Sequence, residues 1–130
     1  DAMRFVEREA RRGRYYDGIL LDPPKYGRGP KGERWRIESD LVPMMQACRG
    51  LLSETPLFLL LTIYAIRASS QAAHFAMADI VTALGGEVTS GELVIAEGPP
   101  VRTRTVKTQA DEAISPRVMS QANFARWTPF

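Results

Sequence analysis

The chain has 130 residues, the size of one domain, with 45% hydrophobic and 25% charged residues. Those are ordinary globular proportions, and they exclude a disordered tail, a collagen-like fibre and a disulfide mini-protein. The net charge of +2, from 17 basic and 15 acidic residues, is too small to argue for nucleic acid by itself. A chain this long is expected to bury about two thirds of its unfolded surface. The single cysteine excludes an internal disulfide and suits a reducing cytoplasm. The longest apolar run, Leu57 to Ile63 with Thr62 inside it, falls far short of the roughly 20 residues of a membrane span. No signal peptide opens the chain, and Asp1 in place of methionine suggests a processed or truncated piece of something longer.

Asp1 to Arg12 reads as a helix capped by Asp1, with Ala2, Phe5, Val6 and Ala10 as a narrow apolar stripe and Gly13 as its stop. Arg4, Arg8, Arg11, Arg12 and Arg14 read as a solvated face. Tyr16 to Leu21 reads as a strand, its Ile19-Leu20-Leu21 run suiting burial on both faces, and Pro23-Pro24 ends it. Pro24 to Glu38 is a long polar loop, a length usual for functional or disordered segments. Ser39 is placed as the cap of a helix from Asp40 to Leu51, with Pro43 in its first turn. Leu57 to Tyr64 is the strongest strand signal. Ser69 or Ser70 caps a helix that runs to Leu84 and stops at Gly85-Gly86. Glu87 to Glu97 reads as one strand, or as two broken at Gly91. Val101 to Lys107 and Asn123 to Trp127 are candidate further strands. Strand-helix-strand-helix-strand order is the signature of an α/β fold with a parallel sheet, whose ligands bind beyond the carboxyl ends of the strands. That favours two places, Asp22 onward and Thr62 to Ser70.

At the first of these stands Asp22-Pro23-Pro24-Lys25-Tyr26. A carboxylate leaves a buried strand, two prolines fix the backbone, and an aromatic ring follows. Such a set offers acceptors for an amine or ring N–H and a ring to stack on. A plain strand-to-turn exit with a capping aspartate fits the spacing equally well.

Tyr16-Asp17-Gly18-Ile19-Leu20-Leu21-Asp22-Pro23-Pro24-Lys25-Tyr26 resembles the fourth motif of class I S-adenosylmethionine (SAM)-dependent methyltransferases. The likeness is nearest to the bacterial 23S rRNA methyltransferase group, with its Asp-Pro-Pro-x-aromatic motif. Asp1-Ala2-Met3-Arg4-Phe5-Val6 resembles the stretch upstream, where the family's acidic side chain lies near the cofactor adenine. Phe124-Ala125-Arg126-Trp127 resembles a common ending of the group. The resemblance is good from residue 1 to about 97 and weak from 98 to 121. It implies SAM as cofactor and an RNA base, in rRNA, as substrate. It also implies a Rossmann-like sheet, mostly parallel with an antiparallel end and flanked by helices, of which this chain supplies the C-terminal half. The first three strands and the glycine-rich cofactor turn are then missing. The family's cytosine-5 members use a cysteine after the strand that corresponds to Leu57–Tyr64; none stands between Leu57 and Ser70, which argues against that chemistry.

Gly27-Arg28-Gly29-Pro30-Lys31-Gly32 matches G-x-G-x-x-G, yet Pro30 interrupts it and no helix opens within it, so it is a decoy for a dinucleotide site. Between Lys25 and Arg36 five basic residues stand against one acid, a local charge of +4, with Tyr26 and Trp35 interleaved. Cations for phosphates and rings for bases are the ingredients of single-strand binding, and a mobile loop with incidental charge is the plainer alternative. His74, the only histidine, has no ligand partner nearby, which speaks against a metal; Cys48 reads as a small buried residue.

The candidate catalytic residues are Asp22, Pro23, Pro24 and Tyr26. Asp22 accepts a hydrogen bond from the target base, the proline carbonyls assist, and Tyr26 stacks. Asp1 and Asp22 are the candidate cofactor contacts, and Lys25, Arg28, Lys31, Arg34, Trp35 and Arg36 the candidate RNA contacts. Two rivals stand beside methyl transfer to RNA. One is a non-catalytic half-domain or RNA-binding module whose unpaired sheet edge takes a second copy or a partner chain. The other is a methyltransferase acting on a protein amide.

Overall fold

A computed structural model describes residues 1–29, 32–64, 66–97 and 118–130 of the chain. The elements in order are α1 (Ala2–Arg11), β1 (Gly18–Leu21), β2 (Tyr26–Arg28), β3 (Arg34–Arg36), α2 (Ile37–Arg49), β4 (Phe58–Ile63), α3 (Ser70–Val81), a 3-10 turn (Thr82–Leu84), β5 (Glu87–Ala96) and β6 (Val118–Thr128). The main sheet has the order β1-β4-β6-β5, and β2 and β3 form a separate hairpin. β1 and β4 pair in parallel, and β6 runs antiparallel between β4 and β5. Three of the four strands therefore point one way, giving the expected α/β sheet with an antiparallel end. No described helix is long and apolar enough to cross a membrane.

Alternation in β4 decides where the core sits. Leu59, Leu61 and Ile63 are buried while their neighbours are half-buried, as the two-residue period of a strand requires. On that buried face pack Ile37 and Met45 of α2, Ala73, Met77, Ile80 and Val81 of α3, and Ala125 and Trp127 of β6. The indole Nε1 of Trp127 donates to the Gly85 carbonyl at 2.7 Å, closing the turn between α3 and β5. Gly86 in that turn has a φ of +96°, and a Cβ there would stand 2.3 Å from the Thr128 carbonyl oxygen, so only glycine fits.

Several boundaries differ from the sequence expectation, each for a local reason. The Pro24–Glu38 loop contains the β2/β3 hairpin, whose strands of three residues each are too short for a periodic signal. α2 begins at Ile37, because Asp40 Oδ2 accepts from the Arg36 amide at 2.7 Å; Ser39 lies inside the helix and Pro43 beyond its first turn. β1 is an edge strand and Leu20 is 61% exposed, so burial on both faces does not hold within this chain. β5 is one strand, with a register irregularity between Leu93 and Val94, and β6 begins at Val118, well before Asn123, and ends at Thr128. The candidate strand Val101 to Lys107 lies outside the described residues.

α1 is held differently from its predicted stripe. Asp1 caps it, its Oδ1 accepting from the Met3 and Arg4 amides, but Ala2, Phe5 and Ala10 are exposed and Val6 alone of the stripe is buried. The other buried residue is Glu9. Its carboxylate accepts from the Tyr16 hydroxyl at 2.8 Å and lies within 3.3 to 3.7 Å of Arg12, Arg14 and Arg8. Tyr16 in turn bridges to Leu52, so this cluster ties α1 to the edge of the sheet. The tyrosine hydrogen bond, ahead of the arginine charges, holds the Glu9 carboxyl below its ordinary value, and burial opposes them. A carboxyl lowered in the folded state stabilises the fold above its unfolded value near 4.5, and that stabilisation is lost as pH falls below it. Glu9→Gln should therefore flatten the acid side of the stability profile. Urea unfolding at neutral pH and at about pH 4 should show a smaller difference for the variant than for the parent protein.

Candidate functional site

The pairing of β1 with β4 sets the site. Leu21 stands opposite Leu61, so the next residues, Asp22 and Thr62, emerge side by side at the carboxyl end of both strands. The Thr62 hydroxyl donates to Asp22 Oδ1 and lies 3.4 Å from the Leu21 carbonyl. One carboxylate oxygen of Asp22 is thereby oriented while the side chain stays exposed to the site. Thr62 was within reach of sequence reasoning, since a hydroxyl near the end of the strongest strand belongs to the favoured region, but its register against Asp22 was not.

A cavity of about 680 Å³ opens beyond the strand ends. Asp22, Pro23 and Pro24 line it together with Asp1 and Met3 from α1, Leu20 and Leu21 from β1, and Pro43 and Met44 from α2. The hairpin closes one side with Gly27, Arg28, Arg34 and Trp35. The two predicted cofactor contacts, Asp1 and Asp22, thus share one cavity although they lie far apart in sequence. Asp1 is already engaged there: Oδ1 caps the helix, and Oδ2 is 3.5 Å from Arg4 Nε. Arg4 also reaches Glu33 at 3.0 Å, which fastens the hairpin to α1.

Side-chain alternation gives the hairpin two faces. Gly27 and Trp35 are paired and half-buried, while Tyr26, Arg28, Arg34 and Arg36 are exposed. Trp35 Nε1 donates to the Pro24 carbonyl at 2.7 Å. That bond occupies one lone pair of a carbonyl expected to serve the substrate, and it makes Trp35 a strut of the cavity wall. A second groove of about 660 Å³ adjoins the cavity across the hairpin, lined by Lys25, Tyr26, Arg36, Glu38 and Ser39 and by Gly27, Arg28, Arg34 and Trp35, which border both. Tyr26 belongs to that groove and not to the cavity of Asp22. Lys31 lies outside the described residues.

Other chemically active groups stand apart. Cys48 is buried in α2, and burial pushes its thiol up to about 11, so it is a packing residue with little thiolate. His74 Nδ1 is 3.3 Å from the Ser90 hydroxyl on the α3/β5 side. Phe124-Ala125-Arg126-Trp127 serves the core: Ala125 and Trp127 are buried, and Asn123 just before it donates to the Ala68 carbonyl at 2.8 Å.

Over its whole length the chain is similar to part of the crystal structure of the SAM-dependent methyltransferase from Agrobacterium tumefaciens, with a TM-score of 0.83 and 45% identity. The fold is one that SAM-dependent methyltransferases use. The chain spans 38% of the length of that Agrobacterium protein. Two more distant structures share the fold alone. SMU.776, a methyltransferase by assignment and complexed with SAH, matches at a TM-score of 0.54 and 17% identity, over 98% of this chain and 30% of its own. The precorrin 8w decarboxylase of Methanobacterium thermoautotrophicum matches at 0.52 and 14%, over 100% of this chain and 52% of its own. No protein-family model and no curated protein matches the chain.

The bond from Trp35 to Pro24 gives a direct check on the cavity wall. Trp35→Phe keeps a ring in place but removes the donor, and should cost about 0.5–1.5 kcal/mol. Urea denaturation should show a lower midpoint with an unchanged slope.

Proposed function

We propose that this chain is part of a SAM-dependent methyltransferase domain, that the Asp1/Asp22 cavity is part of its cofactor and substrate site, and that the acceptor is a base in RNA. The single observation that carries this is the convergence of Asp22-Pro23-Pro24, at the carboxyl ends of paired parallel strands, with α1 and the hairpin around one cavity. The chemistry of the lining fits such a cofactor. Leu20, Leu21, Met44 and Pro43 offer apolar surface to a flat ring, and the carboxylates of Asp22 and Asp1 offer acceptors to hydroxyl and amine groups and a counter-charge to a cation. When bound, SAM supplies an activated methyl group.

The work left to this chain is alignment and exclusion of water. Asp22, oriented by Thr62, accepts a hydrogen bond from an amine or ring N–H of the acceptor. The Pro23 carbonyl and the remaining lone pair of Pro24 are further acceptors, held in place by the proline rings and by Trp35. The hairpin, fastened by Arg4 and Glu33, closes the side of the cavity. RNA is favoured over a protein amide by the cationic hairpin next to the cavity, where Arg28, Arg34 and Arg36 are exposed beside Tyr26.

A second reading has one observation behind it. β1 is the edge of the sheet and Leu20 is exposed, so a further strand, from this protein or a partner, can pair there. A non-catalytic module would use that edge and show no turnover.

Asp22→Asn in the natural-length protein tests the catalytic assignment. It keeps the shape and the thermal stability but removes the charge, and should lower turnover of tritiated methyl from SAM into RNA by at least 100-fold, in line with loss of a positioned group. Full activity of the variant would remove Asp22 from the mechanism.

A further inference from the structure

The hairpin register puts like charges face to face. Arg28 is directly opposite Arg34, and Tyr26 is directly opposite Arg36, all on the exposed face. Like charges opposite each other destabilise a β ribbon. On α1 and just after it the arginines meet carboxylates: Arg4 pairs with Asp1 and Glu33, and Arg8, Arg12 and Arg14 with Glu9. Among the described residues no ion pair joins Arg28, Arg34 or Arg36 to a carboxylate. The groove on this face adds Lys25 and holds one carboxylate, Glu38. Gly27, Arg28, Arg34 and Trp35 form the wall that this groove shares with the Asp22 cavity, Trp35 being bonded to Pro24, whereas Lys25, Tyr26 and Arg36 border the groove alone.

From this we infer that the hairpin is a partition with two ligands, and that its outer groove is a separate site for the backbone of single-stranded RNA, resting on the RNA substrate proposed above. Lys25, Arg28, Arg34 and Arg36 take consecutive phosphates, which relieves the arginine repulsion. Tyr26 stacks on a base that remains with the strand outside, and the target base alone passes to the inner cavity. Trp35, bonded to Pro24, is the fixed wall between the two. The tyrosine is therefore a contact to a neighbouring nucleotide, so the site selects strands with an unpaired base next to the target.

The separation of the two sites gives the test. Lys25 and Arg36 line the outer groove only, and their side chains are exposed, so Lys25→Ala/Arg36→Ala leaves the fold and the inner cavity untouched. Filter binding of a short single-stranded RNA to the natural-length protein is measured over a salt series. Each single-strand phosphate contact contributes about 0.7 to the slope of log affinity against log salt, so the double variant should lose about 1.4 of that slope. Tyr26→Ala should weaken binding about tenfold with the slope unchanged. Calorimetric binding of SAM should stay as in the parent protein for all of these. An unchanged slope in the double variant overturns the outer-groove site and leaves the RNA substrate standing. Failure of the parent protein to retain RNA even at low salt overturns both. Retention of polyglutamate in place of RNA overturns the inference in favour of an acidic protein partner.

Discussion

The parallel register of β1 against β4 is the constraint on which the rest depends. Leu59, Leu61 and Ile63 must face the core, and a slip of one residue would turn every one of them outward. With that register held, Gly18 to Leu21 run alongside Phe58 to Leu61, and Asp22 arrives beside Thr62 without further choice. The prolines then prevent the strand from continuing, and the chain turns into the hairpin that closes the cavity. A core-packing requirement thus places the carboxylate.

The supports around that carboxylate are polar and lie at the periphery. Glu9 ties α1 to Tyr16, Arg4 ties α1 to the hairpin through Glu33, and Trp35 ties the hairpin to Pro24. None of these bonds belongs to the main core, yet together they set the cavity walls. Exposed ion pairs are individually weak, so the buried Glu9 cluster and the indole bond carry more of this positioning than the Arg4–Glu33 contact. The sheet side of the molecule is held by apolar packing of α2 and α3, which leaves the walls free to be shaped by ligand demands.

Much of this was legible in the sequence, and the parts that were not have a common cause. The Asp1 cap, a strand within Leu57 to Tyr64, a serine cap at Ser69 or Ser70 and the glycine stop after α3 each depend on neighbours within a few residues, and the sequence carries all four, with Ser69 the serine that caps. The Asp22-Pro23-Pro24 motif was visible for the same reason. The burial of Glu9 was hidden, because its partners Tyr16 and Arg14 lie beyond the helix and the arginines around it look like a solvated face. The hairpin was hidden by its short strands, and with it the separation of Tyr26 from Asp22, which follows from side-chain alternation and not from sequence distance. The role of Trp35 as a strut likewise needed the fold-back of the hairpin on Pro24.

On the function proposed, SAM enters the cavity between α1, β1 and the hairpin, and methionine methyl groups report on it. Met3 and Met44 line that cavity, whereas Met45 and Met77 are buried in the main core. SAM titrated into natural-length protein carrying carbon-13 methionine methyls should shift the Met3 and Met44 signals to saturation and leave Met45 and Met77 in place. Saturable binding with Met3 and Met44 unmoved, or no binding at all, would remove SAM from this cavity.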